Sequence, residues 1–176
     1  MLTLSFTQGC ESNTNRTKKT AAGQNTKVPR PMAAIAISDI YGAQVSQEIL
    51  NAGGNAVDAA VAAGFALAVT FIDAGNIGGG GFMTIKMGDE VAFLDYREKA
   101  PSGAHKDMYL DAEGNVIADI TLIGAQAVGV PGTVAGFWEA HKKFGKLPWK
   151  VLINPAIKLA SEGFIPAPAL VDSVHR

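Results

Sequence analysis

The sequence predicts an α+β fold in which helices pack against an antiparallel β-hairpin. Two apolar runs, 82–87 and 90–96, flank the dipeptide Gly88-Asp89, which suits a two-residue hairpin turn. Residues 59–69 are apolar on all sides and too few to cross a bilayer, which takes about 20 residues, so they predict a buried helix. Helix-capping residues and terminating glycines recur along the rest of the chain, which completes the mixed pattern.

The first 32 residues differ in composition from the remainder. A short apolar start leads to Cys10, and a tract rich in Ser, Asn, Thr and Lys follows. Such a tract cannot bury enough apolar area to fold, so residues 1–32 are predicted to be a signal remnant and flexible tether. Cys10 stands where a lipid-modified cysteine would, which predicts a periplasmic, cell-envelope or secreted protein with a possible lipid anchor, and a membrane contact only through that lipid.

The folded region is predicted to begin at Ala33 and to continue through residue 176. Residues 33–37 are short and apolar and predict a strand. Ser38 and Asp39 can cap a following helix that ends at Gly53-Gly54. Asn55 caps the next helix, and Asp58 lies in its first turn, where the helix dipole favours a negative charge.

The second half of the chain predicts further elements in order. Residues 125–130 are apolar and predict a strand, and Pro131-Gly132-Thr133 opens a helix that runs to about Phe144. Pro148 predicts a short helical turn. Asn154 and Pro155 predict the start of a separate helix that ends at Glu162, and residues 167–174 open another element.

Charge and cysteine content exclude several classes of function. The net charge is −1 and no basic stripe is present, which argues against nucleic-acid binding. A single cysteine excludes an internal disulfide and a cysteine-cluster metal site. The histidines, His105, His141 and His175, lack metal-ligand spacing, so no metal or cofactor is predicted.

The glycine-rich loop formed by Gly75 and Gly78–Gly81 is expected to bring its backbone close to another backbone or to a ligand. It lacks the Gly-Lys-Ser/Thr end of a Walker loop, and it lies between a helix and a strand rather than between a strand and a helix. Nucleotide binding is therefore disfavoured. Two compatible roles remain: tight packing of a helix on the sheet, and lining of a substrate pocket.

Arg97 supplies a cation at the end of the second hairpin strand. One role is a surface ion pair with Asp95 or Glu98. The other is a clamp, since a planar guanidinium can hold a carboxylate through two parallel hydrogen bonds. Spacing alone identifies no nucleophile and base, so no catalytic residue is assigned.

Five blocks of the sequence, taken together, resemble gamma-glutamyltranspeptidase (glutathione hydrolase). They are GGNAVDAAVA at 53–62, AGNIGGGGFM at 74–83, LDYREKAP at 94–101, VPGTVAGF at 130–137 and PAIKLASEGF at 155–164. The blocks follow one another in order, and the resemblance covers about residues 33–172. It identifies residues 33–176 as the N-terminal portion of a large subunit.

The resemblance implies an N-terminal-nucleophile hydrolase fold with αββα layers and antiparallel sheets. In this family a proenzyme cuts itself, and the new N-terminal threonine of the small subunit attacks a gamma-glutamyl amide such as glutathione. Its own amine serves as the base and backbone amides hold the oxyanion. The glutamyl group then passes to water, an amino acid or a peptide.

By resemblance, Arg97 is the arginine that binds the alpha-carboxylate of the glutamyl group. The Thr-Thr-His-like segment that carries the family nucleophile does not occur in the sequence. The chain is therefore expected to need the remainder of the large subunit and the small subunit as partners, and to be inactive alone. Two alternatives stay open: an inert or scaffolding chain, and an acylase of the same fold that acts on glutaryl cephalosporins.

Overall fold

The computed structural model of the chain describes residues 33–174. The predicted tether and Cys10 lie outside these residues. The structure contains helices and one two-stranded sheet. In chain order the elements are α1 (Ile40–Asn51), α2 (Ala56–Thr70), β1 (Phe82–Met87), β2 (Glu90–Asp95), a 3₁₀ turn (Ala125–Ala127), α3 (Thr133–Phe144), α4 (Trp149–Glu162) and α5 (Pro168–Val174).

Helix α2 is the centre of the core, as its apolar sequence predicts. Val61, Ala62 and Ala66 have no exposed surface. The helix packs against α1, α3 and α4, and Gly64 allows α3 to come close, because a β-carbon there would lie 2.4 Å from the Phe137 ring. The small residues of α2 therefore permit close helix packing.

Of the residues predicted to cap α1 and α2, Asp39 and Asn55 do so. The Asp39 carboxylate accepts a hydrogen bond of 2.8 Å from the backbone N–H of Gly42. Asn55 and Asp58 form a capping box, in which each side chain accepts from the other residue's backbone N–H. Both helix starts were thus encoded locally.

Asp58 also holds the turn between α3 and α4, a role that its place in the first turn of α2 does not predict. Its carboxylate is fully buried and accepts backbone hydrogen bonds from Lys146 at 3.0 and 3.1 Å and from Leu147 at 3.3 Å. Asn55 adds a hydrogen bond of 2.6 Å to the carbonyl of Phe144. The N-terminus of α2 is thereby fixed to the end of α3.

The β-hairpin is antiparallel, as predicted. Phe82 pairs with Asp95 and Met87 with Glu90, and Gly88 takes a positive φ of 59° in the turn. Ile85 faces the helices and is 5% exposed, whereas the stacked rings of Phe82 and Phe93 lie on the outward face.

The two other predicted strands are absent from the described residues. Residues 33–37 are mostly exposed and have no partner strand there, and the side chain of Ile37 instead packs on α1. Residues 125–130 form a 3₁₀ turn and a single β-bridge between Val130 and Lys99. Apolar character alone is insufficient for a strand, because a strand also needs a neighbour that satisfies its backbone.

The predicted turn at Pro148 and helix at Pro155 are one continuous helix, α4. Pro155 lies inside it and removes one backbone hydrogen bond. The buried residues Leu152 and Ala156 flank the proline and pack in the core. Their burial offsets the lost hydrogen bond, so tertiary packing overrides the local signal.

Candidate functional site

Arg97 lies two residues after the end of β2 and lines a cavity of about 290 Å³ between the end of β2 and the first half of α3. The charged residues of the lining are Asp95, Arg97, Lys99 and Glu139, and the apolar ones include Leu94, Val130, Pro131 and Ala135. A mostly apolar hollow with a few charged groups is the usual form of a small-molecule site.

Two glycines pack closely against the backbone of Tyr96, the residue before Arg97. A β-carbon on Gly80 would lie 2.5 Å from the carbonyl oxygen of Tyr96, and one on Gly132 would lie 2.1 Å from the same atom. Gly81 also pairs with Tyr96 through backbone hydrogen bonds of 3.0 and 3.4 Å. Only glycine fits at this distance, so the glycine loop and the start of α3 together fix the position of Arg97.

The glycine loop and α3 are also joined directly. The backbone N–H groups of Gly132 and Thr133 donate to the carbonyl of Gly79, at 2.8 and 3.1 Å. These are N–H groups that the first turn of a helix leaves without a helical partner. The loop therefore has the close-packing role foreseen for it. The predicted pocket-lining role is not met at this cavity, because neither Gly75 nor any residue of Gly78–Gly81 lines it.

The ring of Tyr96 fills the space between the hairpin and α3. A β-carbon on Gly136 would lie 2.3 Å from the Cγ atom of Tyr96, and the rings of Tyr96 and Phe137 meet edge to face at 5.8 Å. Burial raises the pKa of the Tyr96 phenol above its ordinary value. Tyr96, the residue before Arg97, thus anchors this segment to α3.

The guanidinium of Arg97 is held on one side. Its Nε donates to the Glu98 carboxylate at 3.0 Å, and its carbon Cζ lies 5.7 Å from the centre of the Phe82 ring. Its backbone N–H donates to Asp95 at 3.0 Å. The ion pair with Glu98 confirms that foreseen role, but among residues 33–174 neither terminal nitrogen of Arg97 makes a hydrogen bond. Those nitrogens remain available to a ligand, and 59% of the side chain is exposed.

Glu98 connects Arg97 to the glycine loop. The backbone N–H of Glu98 and the side chain of Arg97 lower the pKa of its carboxyl group, and the backbone N–H of Gly80 contributes in the same direction. The carboxylate therefore stays ionised beside the guanidinium over a wider range of pH.

Lys99 is a cavity residue that was not identified from the sequence. The signal was present, because side chains two residues apart in an extended segment point to the same side. Arg97 and Lys99 both line the cavity, and Glu98 between them does not.

His141 lies away from this cavity. It packs between Trp138 and Trp149, and its Nε2 is 2.7 Å from the carbonyl oxygen of Leu147. Within residues 33–174, no cluster of three His, Cys, Asp or Glu side chains is placed to hold a metal ion. None of the helices in this range combines the length and apolar character needed to span a bilayer.

The family pattern and the curated relatives that match this chain agree with each other. The family pattern described as gamma-glutamyltranspeptidase matches residues 42–176. The glutathione hydrolase proenzyme of Pseudomonas aeruginosa is 63% identical over 131 residues, which are 74% of this chain and 24% of that protein. The glutathione hydrolase proenzyme of Escherichia coli is 51% identical over 142 residues, which are 80% of this chain and 24% of that protein.

A solved structure agrees with the sequence relatives. The gamma-glutamyltranspeptidase from Pseudomonas nitroreducens, complexed with L-DON, superposes with a TM-score of 0.76 at 56% identity, covering 81% of this chain and 43% of that one. This likeness confirms the predicted α+β, N-terminal-nucleophile hydrolase fold class. The chain spans about a quarter of the length of the curated relatives it matches. By sequence and by fold, the chain belongs to the gamma-glutamyltranspeptidase family.

Proposed function

We propose that the complete protein carrying this chain is a gamma-glutamyltransferase and glutathione hydrolase. It cleaves gamma-glutamyl amides such as glutathione and transfers the glutamyl group to water, an amino acid or a peptide. The observation that carries this proposal is the geometry of Arg97 at the wall of a cavity. Its Nε and backbone N–H are hydrogen-bonded, and its terminal nitrogens have no hydrogen-bond partner among residues 33–174. Family membership supplies the reaction class.

In this proposal Arg97 binds the alpha-carboxylate of the glutamyl group. A guanidinium with one edge fixed by Glu98 presents its remaining N–H groups in a rigid fork, which matches a carboxylate through two hydrogen bonds. The glycines around Tyr96 keep the backbone that carries this guanidinium in place. The contact positions the substrate, so the reacting amide reaches the nucleophile in one orientation.

The chain supplies binding and not the nucleophile. None of its threonines lies in a Thr-Thr-His-like segment. The proposed partners are therefore a small subunit that carries the nucleophilic threonine and the rest of the large subunit. The threonine attacks the amide carbonyl, its own amine takes the proton, and the amine product leaves before water or an acceptor releases the glutamyl group.

The decisive experiment uses the full-length, processed protein and a gamma-glutamyl anilide. Arg97→Ala is expected to raise KM steeply, because loss of a bidentate, charge-assisted contact costs about 2–4 kcal/mol in substrate binding. Arg97→Lys is expected to recover only part of this loss, since an ammonium cannot form the fork. A KM that stays at the wild-type value in Arg97→Ala would exclude the clamp.

The same experiment tests the alternatives. A wild-type protein that hydrolyses no gamma-glutamyl compound would support an inert or scaffolding role, and preference for a glutaryl cephalosporin would support an acylase. The 59% exposure of the Arg97 side chain is compatible with direct ligand access.

A periplasmic, cell-envelope or secreted location is a second proposal, supported by the polar tract of residues 1–32 and the position of Cys10. Metabolic labelling with a fatty acid tests the anchor. Wild-type protein is expected to incorporate the label and Cys10→Ala is not. Equal labelling of both would exclude lipid on Cys10.

A further inference from the structure

The cavity beside Arg97 contains a second cation whose role the proposed function does not explain. Lys99 lines the same wall as Arg97. The segment between them is fixed at both ends, because Tyr96 pairs with Gly81 and Lys99 forms a two-hydrogen-bond bridge with Val130, at 2.8 and 3.1 Å.

The charges around Lys99 leave its ammonium without a counter-ion. The cavity also contains the carboxylates of Asp95 and Glu139. Asp95 accepts the backbone N–H of Arg97, and Glu139 forms an ion pair with Lys142 at 2.8 Å. Lys99 makes no ion pair with any residue in the range 33–174. Asp95 thus has a hydrogen-bond donor and Glu139 has an ion-pair partner, whereas the Lys99 ammonium has no ion-pair partner among residues 33–174.

An unpaired ammonium at a cavity wall is suited to an anionic group of a ligand. Its four-carbon stem is flexible and carries three N–H donors, so it can follow a carboxylate whose position varies. Arg97, held by Glu98, suits a carboxylate in one fixed orientation. The two cations therefore differ in the kind of contact that they can make.

We infer that Lys99 is a specificity-determining residue that binds a second carboxylate, in addition to the alpha-carboxylate on Arg97. This inference rests on the proposed function. The ligand class is a gamma-glutamyl peptide or acceptor peptide with a free C-terminal carboxylate. The second carboxylate comes from the leaving peptide of the donor or from the acceptor, and the experiment separates these sources.

The test compares Lys99→Met with wild-type full-length protein. The hydrogen bonds to Val130 use backbone atoms, so the substitution leaves the bridge intact. The donors are a gamma-glutamyl dipeptide with a free carboxylate, the same dipeptide as its C-terminal amide, and gamma-glutamyl anilide, all in hydrolysis. A dipeptide acceptor and its amide are then compared in transfer from the anilide.

Lys99→Met is expected to raise KM about threefold to tenfold for the free-carboxylate donor or for the free-carboxylate acceptor. KM for the matching amide and for the anilide should stay within about twofold. A rise for the donor alone assigns the leaving peptide, and a rise for the acceptor alone assigns the acceptor. Lys99→Arg should restore the wild-type ratio, and added salt should reduce the difference.

Lys150→Met is the matched control, because Lys150 is exposed, has the same charge and does not line the cavity. Equal changes for carboxylate and amide, or no change for any substrate, would overturn the role of Lys99. If those outcomes accompany a normal loss of binding in Arg97→Ala, the proposed function stands and only this inference fails. Absence of gamma-glutamyl cleavage by the wild-type protein would remove both.

Discussion

The helical core around α2 and the segment that carries Arg97 are stabilised in different ways. In the core, the starts of α1 and α2 are capped by side chains within three residues, and most of the buried residues are apolar. At Arg97, position depends on backbone atoms from the glycine loop and from the start of α3. The core therefore tolerates many substitutions of similar size, whereas the site segment depends on the absence of side chains at a few glycines.

Asp58→Ala should give the largest effect on the core. It removes the acceptor of backbone N–H groups from Asn55, Lys146 and Leu147, which would then lack this partner in a part-buried turn. We expect a loss of about 3 kcal/mol or more in the free energy of unfolding. Hydrogen exchange in the full-length protein should show faster exchange at residues 146 and 147. Unchanged protection there would contradict this role.

Gly136→Ala should give a smaller loss of stability and a larger loss of function. The new methyl group would meet the Tyr96 ring, so the ring and the adjacent Arg97 must shift. We expect about 1–3 kcal/mol of destabilisation, with KM for gamma-glutamyl anilide rising more than kcat falls. Gly103→Ala is the matched control, since a β-carbon there meets nothing within 4 Å. If both variants behaved alike, the contact with Tyr96 would be unimportant.

Glu98→Gln should give the smallest effect, visible mainly in acid. Because the folded-state pKa of Glu98 lies below its ordinary value of 4.5, its contribution is present above that value and is lost as pH falls through the folded-state pKa. We expect KM of the wild type to rise as the pH falls from neutral to about 3. The variant should show a shallower rise. Identical profiles would exclude a contribution of the Glu98 charge to the positioning of Arg97.

The sequence predicted the elements whose signals are local. The caps Asp39 and Asn55 and the Gly88 turn each act within a few residues, and the structure confirms all three. The apolar run of α2 was equally clear, because a helix with no polar face has to be buried.

The errors occurred where distant residues decide the outcome. Residues 33–37 and 125–130 have strand-like composition but no neighbouring strand within the described range. Pro155 is a local signal for a helix start, and burial of Leu152 and Ala156 overrides it. The local alternation that relates Lys99 to Arg97 was present in the sequence, but the cavity that both residues line exists only after β2 and α3 meet.

The hydrogen bonds that the carbonyl of Gly79 accepts from Gly132 and Thr133 bear on the order of folding. It joins the glycine loop to the start of α3, two segments far apart in the sequence, and Tyr96 lies between them. Contacts of this kind close long loops and form slowly relative to helices and hairpins. Arg97 thus reaches the geometry described above only after the hairpin and α3 have docked, so a nascent chain that stops short of α3 would lack the proposed carboxylate site.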